Sequence, residues 1–278
     1  MNRLENHRLL EELLLANAEE RPVALVTVVR GPHVGGKALV SPSGVIGSLG
    51  NAGLGNAAVG DARAMLAQGA SGTRHYGRLG EERGDDVEVF IQSFAPPPRM
   101  FVFGAIDFSR ATVRVGKLLG YHVTVVDARE TFATTRRFPE ADEVVVAWPH
   151  EFLATAPVDE RTVLCILTHD PKFDVPVLAA AVRTPAAYIG AMGSRRTHTD
   201  RIRRLREDGV EKADLQRIRG PIGLDIGART PEEVAVAIAA EIIAMRYGKE
   251  APSLSEGSGP VHQPLTVVIN TAGTEATG

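Results

Sequence analysis

The sequence is poor in cysteine, in long apolar runs and in net charge. One cysteine among 278 residues excludes a disulfide framework, a CxxC redox pair and an all-thiolate metal site. The 31 basic and 34 acidic residues give a formal net charge of −3, which favours neither nucleic acid nor an anionic membrane as a partner. No run reaches the roughly 18–20 apolar residues of a membrane span, and the N-terminus MNRLENHRLLEELLL is too acidic for a signal peptide. We therefore predict a cytoplasmic protein that binds neither nucleic acid nor membrane.

What the sequence does contain is two different patterns of apolar segments, separated by prolines at residues 96–98. Three prolines fit neither a helix interior nor a central strand, so they predict a stiff linker. Before the linker, a leucine-rich amphipathic helix and β-branched runs such as residues 23–29 predict a small α+β domain. After it, short apolar strands alternate with helices, which predicts a Rossmann-like, doubly wound parallel sheet. The predicted segments are a first domain at 1–95, the linker at 96–99, the Rossmann-like domain at 100–250, and a tail at 251–278 with one possible added strand at 265–269.

The first strand of the second domain runs into an incomplete phosphate-binding loop. A dinucleotide fingerprint needs three glycines, for the tight turn, for the approach of pyrophosphate and for close helix–strand packing. Only Gly104 is present, because Ile106 and Ser109 stand at the second and third positions. Asp107 is expected to cap the following helix and to disfavour an anion, whereas Asp127 ends the next strand where a ribose-binding carboxylate belongs. We therefore predict a Rossmann topology whose phosphate-binding loop is degraded or repurposed, and intact NAD(P) binding is the alternative.

Three further motifs place small or charged residues directly after apolar strands. They read LTHDPKFD at 167–174, YIGAMGSRRTH at 188–198 and PIGLDIGA at 221–228. Because loops at the carboxyl ends of parallel strands converge on one crevice, we expect the first two motifs to face Gly104. The candidate cofactor-binding residues are Gly104, Asp127, His169, Asp170, Gly193, Ser194, Arg195, Arg196, His198 and Asp225.

Residues 193–196 (GSRR) combine a glycine for close approach, a hydroxyl donor and two guanidinium forks, which suits a phosphorylated ligand. The alternative is that Arg195 and Arg196 pair with acidic residues around the loop. His169 and Asp170 form either a polar pair that orients a ligand or transfers a proton, or a helix cap beside a structural histidine. No HxxxH-type spacing supports a metal site, and none is predicted.

These three motifs, with GKLLGYHVTVVDAR at 116–129 and RFPEADEVVV at 137–146, resemble the XdhC/CoxI family of xanthine dehydrogenase accessory proteins. The likeness extends over residues 20–250. It implies a small XdhC/CoxI domain followed by a Rossmann-like domain. It also implies a carrier more than a catalyst, which holds the molybdenum cofactor (molybdopterin), permits its sulfuration and passes it to the apoenzyme of a xanthine dehydrogenase-type molybdenum hydroxylase.

The sequence departs from that family at a glycine-rich turn. Family members commonly carry GGGC-[LIV]-E there, and the cysteine is a candidate contact to cofactor or sulfur. Here residues 50–55 read GNAGLG, with Gly53 in place of the cysteine and Gly55 in place of the glutamate, while Cys165 lies in an apolar strand. The family's GSxPR-type loop is also altered, to GPHVGGK at 31–37.

Two alternatives to the cofactor carrier stay open, and the missing cysteine and glutamate bear on the second of them. One is an NAD(P)-linked oxidoreductase that uses the Rossmann-like half, for which Asp127 is the supporting residue. The other is a docking protein that recognises the apo-hydroxylase without a ligand. For a carrier we expect a homodimer, because a two-fold interface is the commonest way to enclose a sensitive ligand.

Overall fold

The computed structural model describes residues 3–81 and 84–256. The chain divides into two compact units at the Pro96–Pro97 bond, which we call the N-terminal unit and the Rossmann unit. The predicted strand at 265–269 lies outside the described residues. Within the described ranges, none of the helices has the length and apolar content needed to cross a membrane.

The N-terminal unit is an antiparallel sheet with a helix on each face, which confirms the α+β prediction. In β1 the side chains alternate, so that Ala24, Val26 and Val28 pack towards α2 while Val23 and Leu25 pack towards α1. The sheet order is β3-β2-β1-β5-β4. Its elements are α1 (Arg3–Ala18), β1 (Val23–Arg30), β2 (Lys37–Val40), β3 (Val45–Ser48), α2 (Ala52–Gln68), β4 (Gly72–Tyr76) and β5 (Val87–Phe94).

Two elements of this unit differ from the sequence pattern. The apolar run predicts a helix from residue 57, but α2 begins at Ala52, because Asn51 is its N-cap and accepts a hydrogen bond from the amide of Leu54 at 3.0 Å. The polar stretch from residue 74 contains the end of β4, which pairs with β5 and buries Tyr76. Here strand pairing overrides a polar local sequence.

The Rossmann unit is a six-stranded sheet whose pairs are all parallel, in the order β11-β10-β9-β6-β7-β8. The order reverses between β6 and β9, which is the switch point of a doubly wound sheet. Its elements are β6 (Arg99–Phe103), α3 (Asp107–Leu118), β7 (His122–Asp127), β8 (Glu143–Val146), α4 (Pro149–Thr155), β9 (Val163–Ile166), α5 (Pro171–Ala181), β10 (Tyr188–Ala191), α6 (Arg195–Glu207), α7 (Lys212–Leu215), β11 (Ile218–Arg219), α8 (Pro231–Arg246) and a 3-10 turn (Leu254–Glu256).

Both faces of this sheet are covered, so the predicted doubly wound fold is confirmed. Met100 and Val102 of β6 pack in the core that includes α3 and α8, and Phe101 and Phe103 pack in the core that includes α4, α5 and α6. Two helices begin earlier than predicted. Pro171 and Arg195 start α5 and α6, whereas the apolar pattern by itself predicts starts at residues 174 and 199. The early starts put both helix N-termini directly beside the carboxyl ends of β9 and β10.

Candidate functional site

A cavity of about 600 Å³ lies at the carboxyl ends of the strands in the Rossmann unit. Five of the ten predicted site residues line it, namely His169, Gly193, Ser194, Arg195 and Asp225. Its volume is in the range of sites for small organic ligands. The wall is polar on the side of α6, and apolar where Phe108, Ile222, Leu224, Ile226, Val234 and Ala237 contribute.

The polar wall is the start of α6. Gly193 has φ +145°, a conformation that favours glycine, and it brings the chain from β10 into the helix. Ser194 is the N-cap, and its Oγ accepts a hydrogen bond from the amide of Thr197 at 3.1 Å. The amides of Arg195 and Arg196 donate to no acceptor in the described part of the chain, as expected for the first turn of a helix. These N–H groups and the positive end of the helix dipole suit an anion.

The two arginines of the motif differ. Arg195 lines the cavity and its Nη2 donates to Asp225 Oδ2 at 3.0 Å, with both side chains more than 80% exposed. Arg196 is exposed and lies outside the cavity lining. The ion pair joins α6 to residues 221–228, so it connects two walls of the cavity. An exposed pair of this kind contributes little to stability, which leaves Arg195 available to exchange its partner.

A buried ion pair behind this turn was missed by the sequence reasoning. Arg201 Nη2 donates to Asp174 Oδ2 at 2.6 Å and to the carbonyl of Met192 at 2.8 Å. The hydroxyl of Thr168 also donates to Asp174. Both charged side chains are only 3% exposed. The network ties the ends of β9 and β10 to α5 and α6, and so fixes the position of residues 192–194.

The helical spacing could have identified Arg201. It lies four residues before the buried Leu205, on the face of α6 that packs against the core. Burial raises the pKa of Asp174, against the hydrogen bonds from Thr168 and Arg201 that lower it.

Asp127 lies outside the cavity lining and is already engaged. Its carboxylate accepts hydrogen bonds from the amide of Ala105 at 2.7 Å and from Nε and Nη2 of Arg129 at 2.9 and 2.7 Å. Burial acts to raise the pKa of Asp127, but these hydrogen bonds outweigh it and hold the pKa below its usual value. The residue where a ribose-binding carboxylate was predicted therefore anchors its own loop.

The loop at Gly104 is held by contacts with neighbouring residues of the protein. Gly104 has φ +106°, and a Cβ there would lie 2.7 Å from Thr168 Cγ2. The hydroxyl of Ser109 donates to the carbonyl of Gly104, so the serine at the third fingerprint position holds the turn. The prediction that Asp107 caps α3 is wrong. Ile106 occupies the N-cap position without a side-chain hydrogen bond, and Asp107 is the first helical residue. The carboxylate of Asp107 lies 3.6 Å from the guanidinium of Arg137 instead.

Asp170 and His198 have structural partners outside the cavity lining. Asp170 is the N-cap of α5 and accepts from the amide of Lys172 at 3.0 Å. The half-buried His198 ring packs against Gly220, where a Cβ would lie 2.0 Å from Nδ1. Burial and the neighbouring Arg201 lower the pKa of His198. The contact of Asp170 matches the alternative in which this residue is a helix cap.

In the glycine-rich turn of the N-terminal unit, the position where the family carries its cysteine has no room for a side chain. A Cβ at Gly53 would lie 2.1 Å from the carbonyl oxygen of Leu79, and Gly80 packs against the backbone of residues 53–54. Cys165 is fully buried, and burial raises its pKa to about 12. Within residues 3–81 and 84–256, no group of three or more His, Cys, Asp or Glu side chains could hold a metal ion. These residues offer neither an accessible thiolate nor a ready metal site.

The fold and the cavity together define a doubly wound α/β protein with an amphipathic ligand cavity at the carboxyl edge of its sheet. The sequence matches two family profiles, the XdhC Rossmann domain over residues 100–242 and the XdhC and CoxI family over residues 16–77. The chain belongs to the XdhC/CoxI family, as its motifs predicted.

Individual relatives agree with this assignment. The chain is 30% identical over 200 residues, or 72% of its length, to the uncharacterized protein YqeB of Escherichia coli. It is 32% identical over 160 residues (58%) to a probable xanthine dehydrogenase subunit of Bacillus subtilis. It is 29% identical over 170 residues (61%) to the molybdenum cofactor insertion chaperone PaoD of Escherichia coli. The matches span 37%, 46% and 47% of those relatives, so less than half of each.

A solved structure shares the fold. The crystal structure of a xanthine dehydrogenase from Bacillus halodurans superposes with a TM-score of 0.63 over 87% of this chain and 67% of that chain. Their sequences are 22% identical, and the likeness is evidence for the fold alone.

Proposed function

We propose that this chain is an accessory protein for a xanthine dehydrogenase-type molybdenum hydroxylase, and that it binds the molybdenum cofactor in the Rossmann unit and passes it to the apoenzyme. The observation that carries the proposal is the cavity in which the open N-terminus of α6, Ser194 and Arg195 face an apolar wall. Family membership supports the proposed accessory role. The names of two relatives, an insertion chaperone and a probable subunit of a dehydrogenase, support it as well.

The residues present fit the phosphate and the ring of molybdopterin. A terminal phosphate would be held by the free amide of Arg195, the Ser194 hydroxyl and the Arg195 fork. The flat pterin would contact the apolar wall, which includes Phe108 and Ile226. When bound, the cofactor supplies the redox chemistry of molybdenum, while this chain binds it and excludes water.

The same residues do not fit a sulfur-mediated contact. Gly53 is covered by Leu79, and Cys165 is buried and protonated at neutral pH. Binding through the phosphate and the ring, without a thiolate from this chain, is therefore part of the proposal. The homodimer and the cytoplasmic location stay predictions.

The structure gives less support to an NAD(P)-linked oxidoreductase. The carboxylate of Asp127 already binds Ala105 and Arg129, and Ile106 stands where the fingerprint needs glycine. A thermal-shift titration with NAD⁺, NADH and NADP⁺ separates the two functions, because specific binding raises the melting temperature. A shift of several degrees would favour the oxidoreductase. Pull-down of apo-hydroxylase with and without cofactor separates the carrier from a ligand-free docking protein.

The proposal is tested by incubating the purified chain with molybdopterin and measuring retention through gel filtration. We expect stoichiometric retention, and about tenfold weaker binding for Arg195→Gln, since a charge-assisted hydrogen bond is lost. Asp225→Asn should bind more tightly than the unmodified chain, because Asp225 competes for Arg195. Arg206→Gln is the matched control, as this exposed arginine lies in the last turn of the same helix. Absence of retention at micromolar concentrations would contradict the proposal.

A further inference from the structure

A second cavity lies in the N-terminal unit, in residues that the proposed cofactor site does not use. Its volume is about 510 Å³, and its walls are α1, the turn between β1 and β2, and the strand β3 with the residues that follow it. We call it the His33 cleft. The turn is the altered GPHVGGK loop at 31–37. The side chains that line the cleft include Glu5, Arg8, Leu9, His33, Ile46 and Ser48.

His33 is held in a left-handed backbone conformation, with φ +65°. Few residues other than glycine adopt this region, although histidine is among the more tolerated. The carbonyl of His33 accepts a hydrogen bond from the amide of Gly36 at 2.9 Å. Its ring packs against Gly50, where a Cβ would lie 2.5 Å from the ring carbon Cγ. Strained residues that are held from several sides concentrate at ligand sites, and this one lies in the wall of a cavity.

The polar groups of the cleft are mainly donors. Arg8 presents a planar guanidinium fork, and His33 an imidazole. The Oγ of Ser48 accepts a hydrogen bond from the amide of Gly50 at 3.1 Å, which leaves its hydroxyl proton for an acceptor on a ligand. Glu5 is the one carboxylate among the described lining residues.

The remaining lining is apolar. Leu9 is buried in the cleft wall, and Val34 and Ile46 lie beside it. The cleft is larger than a bare oxyanion requires, so a ligand that fills it has an organic body as well as an anionic group.

We propose that the His33 cleft binds a small oxyanion, phosphate or carboxylate, carried on an apolar body. The guanidinium of Arg8, the imidazole of His33 and the Ser48 hydroxyl hold the oxyanion, and Leu9 and Ile46 contact the body. Glu5 limits the affinity by partly compensating the charge of Arg8. This site does not depend on the proposed cofactor site, because all of its residues belong to the N-terminal unit.

The test uses the ¹⁵N-labelled full-length chain, titrated separately with phenyl phosphate and with benzoate, and followed by amide chemical shifts. The two probes distinguish a phosphate from a carboxylate. We expect the amides of Val34, Gly35 and Gly50 to shift with at least one probe. Arg8→Gln should weaken binding about tenfold, because a charge-assisted hydrogen bond is lost. Glu5→Gln should strengthen binding.

Two further variants control for folding. Arg63→Gln changes an exposed arginine on α2 and should leave the affinity unchanged. His33→Asn keeps a residue that tolerates the left-handed backbone but removes the ring, and should weaken binding while the amide spectrum stays folded. The proposal is overturned if neither probe shifts the cleft amides, if the shifts occur only at the start of α6, or if Arg8→Gln binds as tightly as Arg63→Gln.

Discussion

The starts of α2 and α6 are built alike but are covered differently. Each helix follows a glycine-containing turn and begins at a side-chain cap, Asn51 for α2 and Ser194 for α6. At α2 another loop covers the turn, because Leu79 and Gly80 pack against Gly53. At α6 the buried side chain of Arg201 donates to the carbonyl of Met192 and supports the turn from the protein interior, while the opposite face of the turn lines the cavity.

The difference shows that a glycine-rich turn before a helix does not itself make a ligand site. The first helical turn leaves free amides in both places, but the position of more distant chain segments decides whether a ligand can reach them. In this protein the residues where the family carries its cysteine lie under a loop, whereas the start of α6 stays open. The candidate site consequently belongs to the Rossmann unit.

The largest expected effect comes from removing the support of the open turn. Arg201→Met leaves Asp174 buried without its partner, and should lower the free energy of unfolding of the Rossmann unit by about 3–5 kcal/mol. Urea unfolding followed by the fluorescence of Trp148, the single tryptophan, measures this because Trp148 lies in the Rossmann unit.

The matched control is Arg203→Met. This arginine on the same helix forms an exposed pair with Glu207, and its loss should cost about 0.5 kcal/mol or less. Replacing both buried partners, with Asp174→Leu added to Arg201→Met, should recover most of the stability, since no uncompensated charge remains. Equal effects of the two single arginine variants would show that the buried pair does not hold the turn.

A smaller effect is expected from placing a side chain in the covered turn. Gly53→Ala pushes a methyl group against the carbonyl of Leu79 and should destabilise the N-terminal unit by about 1–3 kcal/mol. Gly55→Ala, two residues along the same helix, meets nothing within 4 Å and should stabilise the unit by about 0.4–1 kcal/mol. Hydrogen exchange of the β1 amides reports on this unit, and Trp148 fluorescence should not change. A Gly53→Ala variant as stable as Gly55→Ala would mean that the loop at Leu79 moves aside.

The sequence predicted the parallel sheet, because short apolar strands are a local pattern. The start of α6 was predicted four residues too late, since the apolar pattern begins at residue 199, whereas the hydroxyl of the N-cap Ser194 starts the helix at Arg195. Helical spacing could have placed Arg201 on the buried face of α6, but it does not identify Asp174 as its partner. The contact of Gly53 with Leu79 and the choice of Asp225 as the partner of Arg195 could not be predicted from local patterns either. They depend on which distant segments meet after folding, and a single sequence gives no measure of that.

The smallest expected effect is a pH dependence beside the open turn. His198 packs against Gly220, and its Nδ1 has no hydrogen-bond partner within the described residues. Burial and Arg201 hold its pKa below the ordinary 6.5, so the unfolded chain binds a proton at a higher pH than the folded one. The stabilising contribution is therefore present above pH 6.5 and is lost as the pH falls through the folded-state pKa.

His198→Gln should reduce the loss of stability of the Rossmann unit between pH 7 and pH 5 by about 1 kcal/mol or less, given the partial exposure of the ring. Urea midpoints from Trp148 fluorescence across that range measure the change. If the unfolding free energy depends on pH in the same way for the unmodified chain and for His198→Gln, the ring of His198 is accessible to protons in the folded state.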